Sequence, residues 1–287
     1  MSSSDSKPMF STLVVAGLGL IGGSVAAAAK ARGVAERVIG FGRSAARMQG
    51  AVDAGLVDEV VDAVVRLPAA DLVVVATPVD RIADDVRRIA EVMPDSCLLT
   101  DGGSVKEAIC RSLREAPPQK GMFVGAHPLA GSERSGWEHA DANLFEDKLA
   151  VVTPDERTTD DALMTVEGFW KRLGMRVVRM SAADHDRVLA LTSHLPHLTA
   201  AALAAQLPED LQKYAARGFR DTTRVAAGDA DLWTAIVRLN AVPIADRIDE
   251  LVSTLANYST SIRGGDFERV RELLFEGQQS RTRLNEN

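Results

Sequence analysis

Cysteine is scarce in this chain. Cys97 and Cys110 are the only two in 287 residues. They cannot build a disulfide framework and neither sits in a C-x-x-C pair, so two ordinary thiols in a reducing, cytoplasmic compartment are expected. An excess of positive charge is also missing: 33 Lys and Arg stand against 40 Asp and Glu, for a net charge of −7. That excludes the basic face a nucleic-acid surface needs, but leaves room for a small anion held by a few local arginines. No long apolar run is left unbroken. Residues 9–29, "MFSTLVVAGLGLIGGSVAAAA", carry no charge, yet Gly17, Gly19, Gly22 and Gly23 interrupt them and no strongly basic segment precedes. A strand, a tight turn and a helix explain these letters better than a signal peptide or membrane span, so no membrane partner is expected. There is no internal repeat and no low-complexity tract. Histidine numbers five, and no Cys or acid at ligand spacing joins His194 and His197, so no metal is expected.

What is present is alternation. Continuous apolar runs at 11–17, 37–42, 71–77, 96–101, 122–127, 148–153 and 175–180 are separated by segments with helical periodicity, such as "DRIADDVRRIAEVM". Apolar runs without polar alternation suit strands covered on both faces. The expected fold class is therefore α/β, a Rossmann-type, mostly parallel sheet domain over 10–180 behind a short disordered tail, 1–9. Strand signals stop near 180. Ile244, Ile248, Leu251, Leu255 and Ile262 mark a helical face. An all-helical domain over 181–287 is expected to hold substrate and a second subunit.

Gly17-x-Gly19-x-x-Gly22 lies between the first strand and helix. Gly17 permits the turn, Gly19 lets the backbone approach a pyrophosphate, and Gly22 lets helix pack on strand; Leu18, Leu20 and Ile21 fill the motif. Where an NAD site wants an acid ending the second strand, this chain has Gly42, then Arg43, Ser44 and Arg47. A missing acid with added guanidinium points to NADP rather than NAD, the alternative being solvated surface arginines. Thr77 and Pro78 end another strand at the edge where such sheets bind ligands.

"LLTDGGSVKEAI" puts Asp101, Ser104 and Lys106 at a further strand-to-helix turn, and Ser104 reads equally as a helix N-cap. The next strand runs into "GAHPLAGSERSG", where His127 stands among small, bendable residues. A serine hydroxyl beside an imidazole can fix the ring and share a hydrogen bond to a substrate hydroxyl.

In order, "GLGLIGGS", "ATPV", "TDGGSVK", "HPLAGSERSG", "DHDRVLALTSHLPH" and "FRDTTRVA" resemble the prephenate/arogenate dehydrogenase family of tyrosine biosynthesis, over residues 12 to 240. The resemblance implies a small anionic cyclohexadienol substrate, hydride transfer to a nicotinamide, loss of the hydroxyl proton and departure of carbon dioxide. It makes His127 the base, Ser104 its orienting serine, and Arg224 the grip on the ring carboxylate. His185 and His197 match further active-site histidines. Ser132 and Glu133 match a substrate-side loop and a gating acid, and Trp233 an aromatic near the mouth. It also implies a homodimer through the helices. Without the resemblance, Arg224 reads as a surface salt bridge to Asp186 or Asp221, and Trp233 as core. Members often read W-R-D where this chain has Trp233-Thr234-Ala235, a departure at subunit contacts. Prephenate and arogenate differ only in a keto or amino group, and His197 tilts the reading toward prephenate. Two rivals stand beside this. A β-hydroxyacid dehydrogenase would use a lysine early in the helices, where residues 181–212 have none. A non-catalytic NADP-binding sensor would need no Ser104, His127 and Arg224 together.

Overall fold

The computed structural model describes residues 7–131 and 134–284; the expected tail, residues 1–6 of it, lies outside these. Eight strands form one sheet: β1 (Phe10–Ala16), β2 (Ala35–Phe41), β3 (Glu59–Val61), β4 (Leu72–Val75), β5 (Leu98–Asp101), β6 (Met122–Pro128), β7 (Leu149–Thr153) and β8 (Arg176–Arg179). Their order is β3-β2-β1-β4-β5-β6-β7-β8. Every pairing is parallel except β6 with β7. β3 was not expected from the sequence. It is three residues long and sits at the sheet edge, too short to show a period.

Helices α1 (Leu20–Ala31), α2 (Ala45–Asp53), α3 (Ile82–Ala90), α4 (Glu107–Glu115) and α5 (Asp160–Arg172) connect the strands. Alternate strand residues point to opposite faces. Leu13 and Val15 join Val25, Ala29, Phe169 and Trp170 in one core. Val14 and Ala16 join Ile82, Val86, Ile109 and Leu113 in the other. Both faces are thus dry, which is why the strands read as unbroken apolar runs. The uncharged stretch 9–29 is β1, its turn and α1. Among the described residues no helix is long and apolar enough to cross a membrane.

After β8 the chain is helical: α6 (Ala182–Leu189), a π-helical turn (Ala190–His194), α7 (Leu195–Ala204), α8 (Arg217–Thr223) and α9 (Ala230–Leu239). Backbone contacts divide the chain into two compact units, 1–240 and 241–287. The second is a pair of packed helices, α10 (Ala241–Gly264) and α11 (Phe267–Arg283). It leaves Val252, Leu255, Ile262, Phe267, Leu274 and Phe275 exposed.

Candidate active site

The carboxyl ends of β1, β2, β4, β5 and β6 share one sheet edge, and the loops leaving them carry most of the expected residues. The glycines of the first loop behave as their types demand. Gly17 has φ +93°, and a Cβ there would strike the Ala76 carbonyl at 2.6 Å. At Gly22 a Cβ would sit 2.0 Å from the Gly17 carbonyl oxygen, so only glycine lets α1 lie this close to β1. At Gly19 a Cβ meets nothing within 4 Å; that backbone faces open space. Leu18 and Ile21 turn their side chains into the fold, Leu18 against Gly40 and Ile21 against Gly102. The amides of Leu20, Ile21 and Gly22 find no acceptor among the described residues. Three donors at a helix N-terminus beside an open glycine suit a pyrophosphate. Thr77 follows β4 with its hydroxyl enclosed and unpartnered among the described residues, and Pro78 is exposed beside it. These features fit a dinucleotide.

Gly42 follows β2, and its amide donates to Val61 O at 3.1 Å. Ser44 caps α2, accepting from the Arg47 amide at 3.4 Å. The Arg43 and Arg47 side chains are exposed and make no ion pair among the described residues. Asp62, just past β3, accepts from the Ala45 amide at 3.3 Å, so a carboxylate does reach this helix end from the neighbouring strand.

His127 is the penultimate residue of β6, paired across to Val151 of the antiparallel β7. Its Nδ1 stands 2.8 Å from Nε2 of His185 on α6, and Nδ1 of His185 stands 2.7 Å from Asp186 Oδ1. Burial, then the like charges of His185, Lys106 and His194, hold the pKa of His127 well below the usual range. Burial also lowers that of His185, against the pull of Asp186.

The turn after β5 is pinned from below. Lys106 and Asp101 are fully buried and paired. The Lys106 ammonium also donates to Ala126 O at 2.9 Å, and Asp101 accepts the amides of Ala126 at 3.0 Å and Gly103 at 2.9 Å. The pair therefore ties the Ser104 turn to the residue before His127. Two expectations change here. Ser104 is not the cap of α4, which begins at Glu107; Asp186 caps it instead, accepting the amides of Lys106 at 2.8 Å and Glu107 at 2.9 Å. Nor is a hydrogen bond between Ser104 and His127 present among the described residues; the ring meets His185 through Nδ1. Among the described residues the Ser104 hydroxyl has no hydrogen-bond partner.

A second cluster adjoins. His197 on α7 stacks on Trp233 of α9, with centroids 3.5 Å apart and planes at 11°. A Cβ at Gly228 would meet Trp233 Nε1 at 2.7 Å and His197 Cε1 at 2.9 Å, which explains that glycine. His194, buried in the π-helical turn, lies edge-on to the same indole at 6.1 Å. Its Nδ1 is 3.1 Å from Asn240 Nδ2, which also donates to Asp186 O at 2.8 Å. Such π turns often mark functional sites, and His194 belongs to this network. Arg224 opens a 3-10 turn packed against α7. Of the two acids weighed as its partners, Asp186 holds the α4 amides and His185, and Asp221 pairs with Arg217 at 3.3 Å. Ser132 and Glu133 lie outside the described residues. His139 is exposed. Sequence reasoning missed Asp186 and Asn240 as partners, since contacts spanning 80 and 54 residues leave no local signal.

A profile for the nucleotide-binding domain of prephenate dehydrogenase matches residues 25–179, and one for its dimerization domain matches 181–276. The prephenate dehydrogenase of Bacillus subtilis is 33% identical over 91% of this chain and 73% of its own. The cyclohexadienyl dehydrogenase of Zymomonas mobilis is 34% identical over 96% and 97%. Among solved structures, prephenate dehydrogenase from Aquifex aeolicus, in complex with hydroxyphenyl propionate and NAD+, superposes with a TM-score of 0.90 at 29% identity, covering 98% of this chain and 100% of that one. Synechocystis arogenate dehydrogenase gives 0.81 at 29% identity, covering 95% and 99%. With both profiles in sequence order and these relatives matched over more than nine-tenths of this chain, the chain belongs to the prephenate dehydrogenase family.

Proposed function

We propose that this enzyme converts prephenate to 4-hydroxyphenylpyruvate by oxidative decarboxylation, with NADP as the hydride acceptor. The observation that carries the reading is His127. It stands on the sheet edge that holds the glycine turn, with one ring nitrogen engaged by His185 and the other left for a substrate. A nicotinamide bound at this edge supplies the acceptor for the hydrogen and two electrons of the carbinol C–H bond. His127 takes the hydroxyl proton as the carbonyl character develops, and a neutral, half-buried imidazole is suited to that. The C–C bond to the ring carboxylate breaks, its electron pair enters the ring, and carbon dioxide leaves an aromatic phenolate, which takes the proton back from His127 to give the phenol. Ser104 offers a free hydroxyl to the same substrate oxygen. Arg224 holds the ring carboxylate with a planar fork. His185, His197, Ser132 and Glu133 complete the substrate side.

Residues 10–180 serve as the dinucleotide-binding part, with Gly17 to Gly22, Thr77 and Pro78 around the phosphates. Residues 181–287 serve substrate binding and homodimer formation, supported by the dimerization-domain match and by the apolar side chains exposed on α10 and α11. Two buried free thiols are in keeping with a cytoplasmic location. NADP is supported by Gly42, by Arg43 and Arg47, exposed and without an ion pair among the described residues, and by the Ser44 hydroxyl. A second reading, NAD, is favoured by Asp62, whose carboxylate already lies at the end of α2. Arogenate is the alternative substrate, in line with the Synechocystis neighbour.

One assay tests all of this: prephenate and arogenate crossed with NADP and NAD, following reduced nicotinamide. The fastest turnover is expected for prephenate with NADP. No turnover in any of the four combinations overturns the proposal.

A further inference from the structure

Three donors converge on the Asp186 side chain, and two of them leave no choice of polarity. The amides of Lys106 and Glu107 can only donate, and they face different oxygens of the carboxylate. Both oxygens therefore accept. Oδ1 is also 2.7 Å from His185 Nδ1, so that nitrogen carries a proton and donates as well. A neutral imidazole protonated at Nδ1 has a bare Nε2. That Nε2 accepts from His127 Nδ1 at 2.8 Å, which places the proton of His127 on Nδ1 too. We propose that Asp186 is a positioning residue that sets the ring tautomers of His185 and His127, leaving Nε2 of His127 as its unprotonated nitrogen.

Asp186 is itself held at both ends. Its carboxylate is locked on the first turn of α4, and its carbonyl accepts from Asn240 Nδ2 at 2.8 Å. The polarity of the chain is thus imposed by backbone amides, which cannot invert, rather than by a side chain that could rotate. Both rings are neutral in this arrangement. The groups facing His127 are His185 from α6, Lys106 from the turn before α4 and His194 from the π-helical turn; Lys106, Asp101 and Asp186 face His185. A buried carboxylate that orients an imidazole is the logic of hydrolase triads. Here it is passed through a second imidazole, and it acts on a base for hydroxyl oxidation rather than on a nucleophile.

The inference rests on reading His127 as the base, so its test includes one readout that does not depend on turnover. Full-length protein with 15N-labelled histidine is examined by ring-nitrogen NMR, the His127 signals being assigned by their loss in His127→Asn. A protonated Nδ1 and a bare Nε2 on His127 are expected in the wild type. A protonated Nε2 there overturns the proposal without any measurement of turnover. In Asp186→Asn the charge and one acceptor are gone. That variant is expected to show His127 in mixed tautomers, kcat lower by about 10²-fold, at the bottom of the range a positioned base supplies, an unchanged cofactor Kd by fluorescence titration, and an acid limb moved to lower pH. A variant that loses only thermal stability, with kcat and pH profile intact, reduces Asp186 to a cap on α4 and overturns the proposal. If His127→Asn keeps its turnover while the wild-type spectra show a bare Nε2, the base reading fails and the tautomer assignment stands.

Discussion

His194 is a histidine that folding keeps from its proton. Burial pushes its pKa down from 6.5 to about 4, while the unfolded chain takes up the proton near 6.5. Between those values the unfolded state binds more protons, so stability is full above pH 6.5 and falls as pH drops toward 4. A single site of this kind is worth ~3 kcal/mol across the window, and His127 and His185, also depressed, act in the same direction. Urea denaturation at a series of pH values should show a plateau above neutral and a decline below it; a flat curve would contradict the buried neutral rings. For the chemistry, His127→Asn should cut turnover by about 10²–10⁴-fold with cofactor affinity intact. Arg224→Ala should raise KM for the substrate, by the equivalent of about 2–5 kcal/mol if the carboxylate is left unpaired. His127 could be read from its small-residue loop after an apolar run. Asp186 could not: its neighbours in sequence, Asp184 and His185, look like any polar helix start, and its partners come from a turn far earlier in the chain.

At the scale of elements, the turns matter more than the helices and strands they join. The sheet, the glycine turn and the opening of α2 at Ser44 were legible, because β1 to β2 follow a local code of apolar run, glycine and cap. β3 was not, and with it went Asp62, the acid whose carboxylate meets the opening of α2. Gly42→Asp with Arg43→Ala is expected to turn a preference for NADP into one for NAD, read as the ratio of kcat/KM for the two cofactors. The substitution is sterically open, since a Cβ at Gly42 meets only the Met48 thioether, 2.7 Å away at the end of a flexible chain. The turn before α4 makes a second case. Replacing Lys106 by Met strands Asp101 in a dry site and should cost about 3–5 kcal/mol, measurable by denaturation. Asp101 cannot be removed in compensation without orphaning the amides of Gly103 and Ala126.

For the whole molecule, the helical hairpin of 241–287 shows why an Ala- and Leu-rich sequence can be read for helix yet not for contacts. Phe267 is 68% exposed and Val252 57% on a chain taken alone, more apolar surface than a solitary protein usually shows water. Light scattering should give twice the mass of one chain, and a fully active monomer at assay concentration would count against the dimer. The bond from Asp186 to the Lys106 amide has a consequence for synthesis. It closes a loop of 80 residues, so a ribosome that has delivered only the sheet leaves the first turn of α4 open to water and His127 without its partner ring. The proposed pair is thereby assembled only when the helices beyond residue 180 have emerged and docked. The amides of Lys106 and Glu107 become reporters of that moment: their hydrogen exchange should be fast in a nascent or partly unfolded chain and slow once α6 has closed over them.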